Sequence, residues 1–215
     1  MATIQPTVVA PSSGEEIPLA ADGRTESIAI RLRASPRSSR STAADRRRER
    51  RWIKDAQQGS GEALEALYRR HWPWAHRAAY LVVHDKAAAE DIAQEAFLAA
   101  VRALDRFDRR RPFGPWLHRI VVNRAIDWAR ARTLRGEVEL ADSPASDPEP
   151  LGELPVLVRA LARLPPEQRA VIVLRHLLEY TPGEIAGLLD LPRGTVNSRL
   201  RRGLDELAAR LEEEK

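Results

Sequence analysis

Apolar positions along this chain recur at spacings of three and four residues, the period of helices packed against a core. The clearest run is Val196, Leu200, Leu204, Leu207 and Leu211, which at roughly 100° per residue falls on one narrow stripe. A helix opening near Arg193 is expected, with that stripe as its core face. A shorter helix is expected before it. Thr181 and Glu184 form a capping box, Pro182 takes the first helical position, and Ile185, Ala186, Leu188 and Leu189 supply the apolar side. Asp190-Leu191-Pro192 ends it, because proline disfavours α geometry in the residue before it. Two short helices joined by a tight turn result.

Upstream, the pattern is helical from Trp52 to about Arg132, with breaks at Gly59-Ser60-Gly61 and His84-Asp85. One helix is predicted over 62–81, burying Leu64, Leu67, Tyr68, Trp72 and Ala75, with Pro73 as a possible kink. A second, over 87–104, has a face of Ile92, Ala96, Ala99, Ala100 and Ala103, with Phe97, Val101 and Leu104 at its edge; such small residues permit close packing. A third, over 116–132, buries Leu117, Val121, Ala125 and Trp128. After a break, one helix carries Val156, Leu157, Leu161 and Leu164. Pro165-Pro166 opens another, with Val171, Ile172 and Leu174 on its apolar side. The expected fold is all-α: two small helical domains, at 52–132 and 154–215.

The segments outside those domains differ in composition. Residues 1–51 mix Pro, Ser, Thr and Ala with scattered charge and end in Arg46-Arg47-Arg48-Glu49-Arg50-Arg51. Too few apolar residues are present to offset the ordering entropy, so a mostly disordered extension is expected. The basic run either touches nucleic acid or simply begins the first helix. Residues 133–153 hold Glu137, Glu139, Asp142, Asp147, Glu149 and Glu153 against the single Arg135, and Pro144, Pro148 and Pro150 deny regular structure. An acidic linker is expected; about 20 extended residues reach roughly 65 to 70 Å, about two turns of B-DNA.

Polar faces point to function. Opposite the stripe of the last helix lie Thr195, Ser198, Arg199 and Arg202, with Arg201 on the flank. Arginines beside small hydrogen-bonding groups on a short helix after a tight turn suit the DNA major groove. The loop 105–115 interleaves Arg106, Arg109, Arg110 and Arg111 with Phe107 and Phe113. Its rings either stack on unpaired bases while the cations hold phosphates, or anchor the loop in the core. On the helix after it, Arg119, Asn123 and Arg130 share a face, with Trp116 and Asp127 at its margin, so an asparagine sits between phosphate clamps. The helix over 87–104 instead shows Asp91, Gln94, Glu95 and Arg102 around one exposed Leu98. An apolar knob ringed by polar groups fits a protein partner, though single exposed leucines are common.

Composition narrows the classes. The 215 residues carry 35 basic and 31 acidic side chains, a formal charge of +4 that makes segregation of charge more telling than its sum. No cysteine is present, which excludes disulfides, Cys-ligated zinc and thiol catalysis. Neither a signal-peptide pattern nor an apolar run long enough to span a membrane occurs, so a cytoplasmic protein without membrane insertion is expected. The histidines His71, His76, His84, His118 and His176 match no ligand spacing, and no Walker or GxGxxG loop occurs. Asp91 and Glu95 could pair as carboxylates but have no third ligand nearby in sequence. No metal, cofactor or catalytic residue is therefore expected.

Two segments resemble one family, the extracytoplasmic-function (ECF) group of bacterial sigma-70 factors. AAAEDIAQEAFLAAVRALDRFDRRRPFGPWLHRIVVNRAIDWARAR, from Ala87 to Arg132, is similar to conserved region two, and LPPEQRAVIVLRHLLEYTPGEIAGLLDLPRGTVNSRLRRGL, from Leu164 to Leu204, is similar to region four. The resemblance implies that Asp91, Gln94, Glu95 and Leu98 dock on the largest-subunit clamp of core RNA polymerase. It implies that Phe107, Arg110, Arg111, Trp116, Arg119, Asn123 and Arg130 bind the minus-10 element as it melts, with Phe107 and Asn123 at a flipped base. Thr195, Asn197, Ser198, Arg199, Arg201 and Arg202 would read the minus-35 duplex. An anti-sigma protein is the usual control. Val101, Pro115, Asp190 and Asn197 depart from the family pattern, and Asn197 leaves its own base contact open. The alternatives are a stand-alone dimeric helix-turn-helix regulator, although no extra dimerisation helix follows Leu211, and more remotely a helical enzyme.

Overall fold

The computed structural model describes residues 42–135 and 155–213, so the expectations for residues 1–41 and for most of the linker lie outside the described residues. Eight α-helices account for nearly all of what is described: α1 Ala43–Gln57, α2 Gly61–Val83, α3 Lys86–Ala103, α4 Phe113–Leu134, α5 Pro155–Ala162, α6 Pro166–Ile172, α7 Pro182–Leu189 and α8 Arg193–Glu213. No strand occurs among the described residues.

Local chemistry sets the helix starts. Thr42 caps α1 through the Asp45 N–H at 3.1 Å, and the Asp45 carboxylate accepts the Thr42 N–H in return. The helix therefore begins inside the stretch assigned to the extension, and the basic run is its first half. Ser60 caps α2 through Ala63, and Asp85 caps α3 through Ala88. The helix α2 runs unbroken through Pro73, whose side is exposed. It closes at His84, which takes the left-handed conformation (φ 56°) usual at helix ends. The expected capping box of α7 is present, with the Glu184 carboxylate 2.7 Å from the Thr181 N–H. Asp190 takes the left-handed turn position (φ 55°) that ends α7; its short polar side chain tolerates that geometry.

Two further features differ from expectation. The helix α4 begins at Phe113, three residues before Trp116, because Pro115 falls in its first turn, where a missing N–H costs nothing. Val173 to Leu177 continue α6 as a wide π turn, with the Leu178 N–H donating to the Val173 carbonyl at 3.1 Å.

Helices α1 to α4 form one bundle and α5 to α8 another. Between α6 and α8 the approach is close at Gly203: a Cβ there would lie 2.9 Å from Ile172 Cδ1 and 3.2 Å from Gln168 Cβ, so both side chains would have to shift to admit one. The two bundles are not separate. Their buried residues make one continuous core, and α4 and α2 both pack against the second bundle. The helix α4 shows why. Leu117, Val121 and Ala125 are buried as expected, but so are His118, Val122, Ile126 and Ala129. A helix buried on two sides lies between two layers.

Candidate nucleic-acid interface

On α8, Val196, Leu200, Leu204 and Leu207 are buried, which leaves the residues between them to face outward. Arg201 and Arg202 are exposed, and Thr195, Asn197, Ser198 and Arg199 are half-buried. The Ser198 hydroxyl donates to the Thr195 carbonyl at 3.0 Å, and Arg202 donates from Nε to the Ser198 carbonyl at 3.3 Å. Arg201 lies 3.9 Å from Asp205, a pair exposed on both sides. Exposed pairs of this kind are weak, about 0 to 1 kcal/mol, so both arginines can be redirected to phosphates.

The second cationic surface belongs to the first bundle. Arg109, Arg110 and Arg111 are exposed on the loop before α4. Asp108 orders that loop: its carboxylate accepts the Arg110 N–H at 3.0 Å and Nε at 3.1 Å. These Arg110 bonds hold the Asp108 carboxyl below its usual range. An open cleft between α1, the loop and α4 gathers Arg46, Arg50, Arg70, Arg110 and Arg111 around Trp74. Glu49, on its floor, lies 3.4 Å from Arg70 and accepts the Phe113 N–H at 3.3 Å. Burial works to raise the Glu49 carboxyl, yet His71, Arg70 and that N–H hold it below the usual value. A groove lined with guanidinium groups and an indole can follow a single-stranded backbone.

Phe107 is 8% exposed, with its ring 4.6 Å from Trp116 and 5.8 Å from Phe113, so in this structure the ring anchors the loop in the core. Gln57 from α1 donates to the Leu104 and Phe107 carbonyls at 2.9 and 3.0 Å and fixes the same corner. Trp116, half-buried above Phe107, is the aromatic ring with a free margin there. Arg119 is exposed and Asn123 half-buried on the next turns of α4. Arg130 is exposed but not free: its Nε donates to Glu167 of α6 at 2.7 Å.

The third surface is on α3. Asp91, Gln94 and Glu95 are exposed, Gln94 donates to Glu90 at 3.2 Å, and Arg124 of α4 donates to Glu95 at 2.6 Å. Leu98 is 54% exposed, and it is not alone. Val101, one turn on, is also exposed, and so is Tyr68, expected on the buried side of α2; its ring lies 5.0 Å from Phe97. An apolar patch rather than a single knob results. Tyr68 was misplaced because its ring stacks on Trp72 at the rim of the core, 4.9 Å away, rather than within it.

Sequence patterns did not single out the polar residues where the bundles meet. His118 Nδ1 lies 2.9 Å from the Tyr180 hydroxyl, and Arg169 donates to His84 Nδ1 at 2.8 Å. A guanidinium only donates, so His84 is neutral with its proton on Nε2. Burial first, and Arg169 second, lower His84 to about 3, and burial with the neighbouring His71 lowers His118 to about 3. Burial also pulls Arg169 down to about 10. Among the described residues no three His, Cys, Asp or Glu side chains are grouped to hold a metal, and no helix is long and apolar enough to cross a membrane.

Two family descriptions match this chain in order: Sigma-70 region 2 over residues 67–135, and Sigma-70, region 4 over residues 155–207. The ECF RNA polymerase sigma factor SigM of Mycobacterium tuberculosis is 37% identical over 152 residues, covering 70% of this chain and 78% of SigM. The chain belongs to the ECF RNA polymerase sigma factors. SigW of Bacillus subtilis is 31% identical over 179 residues, covering 74% of this sigma factor and 94% of SigW. Among solved structures, CnrH in complex with the cytosolic domain of CnrY matches with a TM-score of 0.60 and 30% identity, over 78% of this chain and 99% of that one. As a sigma factor, the chain serves promoter-directed transcription initiation by RNA polymerase. The region-two match covers α3, the arginine loop and α4, and the region-four match covers α5 to α7 and most of α8.

Proposed function

We propose that the three surfaces divide promoter opening among them. Thr195, Asn197, Ser198, Arg199, Arg201 and Arg202 of α8 read the minus-35 duplex, and the arginine loop with Trp116, Arg119, Asn123 and Arg130 holds the minus-10 element as it melts. Asp91, Gln94, Glu95 and Leu98, with Val101 and Tyr68 beside them, dock on the clamp of the core polymerase. The observation that carries this reading is the pairing of a helix-turn-helix with a separate arginine-aromatic surface on one chain. The first suits duplex DNA and the second unpaired bases. Affinity comes largely from phosphate contacts and specificity from few base contacts. Opening relies on trapped bases, so the protein acts as a binding factor in the cytoplasm and not as an enzyme. The partner in one similar structure, the cytosolic domain of CnrY bound to CnrH, supports a regulatory protein that binds this sigma factor too.

Run-off transcription from a genomic fragment library, with core polymerase and with or without the protein, tests the assignment. New start sites sharing two upstream motifs, and lost with Asn123→Ala, are expected. Footprints on palindromic DNA without core, and no new transcripts with it, would favour a dimeric regulator instead.

A further inference from the structure

The helix α1 holds the arginine loop at both of its ends. Glu49, Ile53 and Gln57 follow one another at four-residue spacing on α1, so they form one stripe, with Ile53 buried between the two polar groups. At the start of the loop, the Gln57 amide donates to the Leu104 carbonyl at 2.9 Å and to the Phe107 carbonyl at 3.0 Å. Both hydrogens of that amide thus engage one short turn, which the Phe107 N–H closes onto the Leu104 carbonyl at 2.9 Å. At the end of the loop, the Glu49 carboxylate accepts the Phe113 N–H at 3.3 Å. The first N–H groups of a helix lack partners within it, and Pro112 makes no side-chain cap for α4, so a carboxylate from another helix supplies one. The two holds stand eight residues apart on α1, about 12 Å.

Between these holds lie the exposed cations Arg109, Arg110 and Arg111, in a segment tied across by the Arg111 N–H, which donates to the Asp108 carbonyl at 2.9 Å. Phe107, gripped at its carbonyl by Gln57, sets its ring 4.6 Å from that of Trp116. The end capped by Glu49 is the start of α4, which carries Trp116, Arg119 and Asn123 onward. Glu49 is itself fixed, with its side chain 12% exposed and Arg70 of α2 3.4 Å away. Hydrogen bonds are directional, so these two contacts set where the loop and α4 point, which apolar packing on Ile53 alone would not do. Both residues precede residue 67, where the match to Sigma-70 region 2 begins.

We propose that Gln57 and Glu49 are positioning residues for promoter melting: α1 fixes the arginine loop and the start of α4 in the geometry that captures unpaired bases, while neither residue touches the DNA. A binding surface is most effective when its groups are already in place, because ordering a loose loop on contact subtracts from affinity. The inference rests on the assignment of the loop and α4 to the minus-10 element, but the clamp itself is measurable without DNA or polymerase.

Gln57→Glu keeps the size of the side chain but sets an acceptor against two carbonyls, whereas Gln57→Lys still donates to them. Glu49→Ala removes the cap of α4, whereas Glu49→Gln keeps an acceptor oxygen. Hydrogen exchange on the full chain should quicken by about tenfold at the Phe107 amide in Gln57→Glu and at the Phe113 amide in Glu49→Ala, and stay near the parent rate in the two conservative variants. With core polymerase, 2-aminopurine placed in the minus-10 element of a promoter found by run-off transcription reads opening. Opening should fall by about tenfold in Gln57→Glu and Glu49→Ala and return in Gln57→Lys and Glu49→Gln, with capture of core within about twofold of the parent throughout. A general loss of stability would lower capture and opening together. Unchanged exchange, or parent-like opening in Gln57→Glu, would overturn the proposal, and so would a loss of core capture equal to the loss of opening. A parent chain that never opens the promoter would count against the minus-10 assignment, and the exchange rates would still decide the clamp.

Discussion

Acidification from pH 7.5 to 5 should weaken the joined core through two histidines. His84 faces Arg169, near which lies Arg132, itself paired with Asp85, and His118 faces Tyr180 and His71, behind which lies Glu49. Both are held neutral, at about 3, against an ordinary value of 6.5. The unfolded chain therefore takes up protons below 6.5 that the folded chain refuses until about 3, and stability falls with pH across that window. One pH unit is worth about 1.4 kcal/mol per group, so each histidine costs about 2 kcal/mol by pH 5, an upper value that relaxation around the rings reduces. Glu49 and Glu167 have lowered values, so their stabilising contribution is present above the ordinary carboxylate range and is lost only below about 4.5. The interval between pH 6.5 and 5 thus isolates the histidines. Urea unfolding followed by circular dichroism at pH 7.5, 6 and 5 should show a fall of about 2 to 4 kcal/mol in all. His84→Asn with His118→Asn removes the titrating groups and should flatten the slope. A change below about 0.5 kcal/mol, or the same slope in the double variant, would refute the reasoning.

Phe107→Ala should cost about 3 to 5 kcal/mol of stability, because the ring is packed against Phe113 and Trp116; a melting temperature unchanged from the parent would return Phe107 to the DNA surface. Gly203→Ala forces apart Ile172 and Gln168, and overpacking of about 1 to 3 kcal/mol should outweigh the roughly 1 kcal/mol gain in helix propensity; a stabilised variant in urea unfolding would contradict that contact. Leu98→Asp should leave stability within about 0.5 kcal/mol, since the side chain is exposed, and yet abolish capture of core polymerase in a pull-down; retained capture would remove Leu98 from the docking surface.

The residues that make each helix also mark its ends, and these were legible one segment at a time. The capping box of Thr181 and Glu184, the stop at Asp190 and the stripe from Val196 to Leu207 all stand in the structure where local chemistry puts them. The helix-turn-helix and the family follow from such short-range features, because backbone geometry and a periodic apolar face depend on neighbours within a few residues. Side chains that meet across the chain were not legible. Phe107 could be read as a base platform or a core anchor, and its packing on Trp116 decides for the anchor. The second buried sector of α4, Val122, Ile126 and Ala129, belongs to the helix against which α6 and α7 pack, a contact that no spacing within α4 discloses. Sequence by itself determined the helices, their order and the family they serve. Only the tertiary structure decided that the two halves share a core and that Glu167 meets Arg130, 37 residues away in the chain, because burial and charge pairing depend on which surfaces come together.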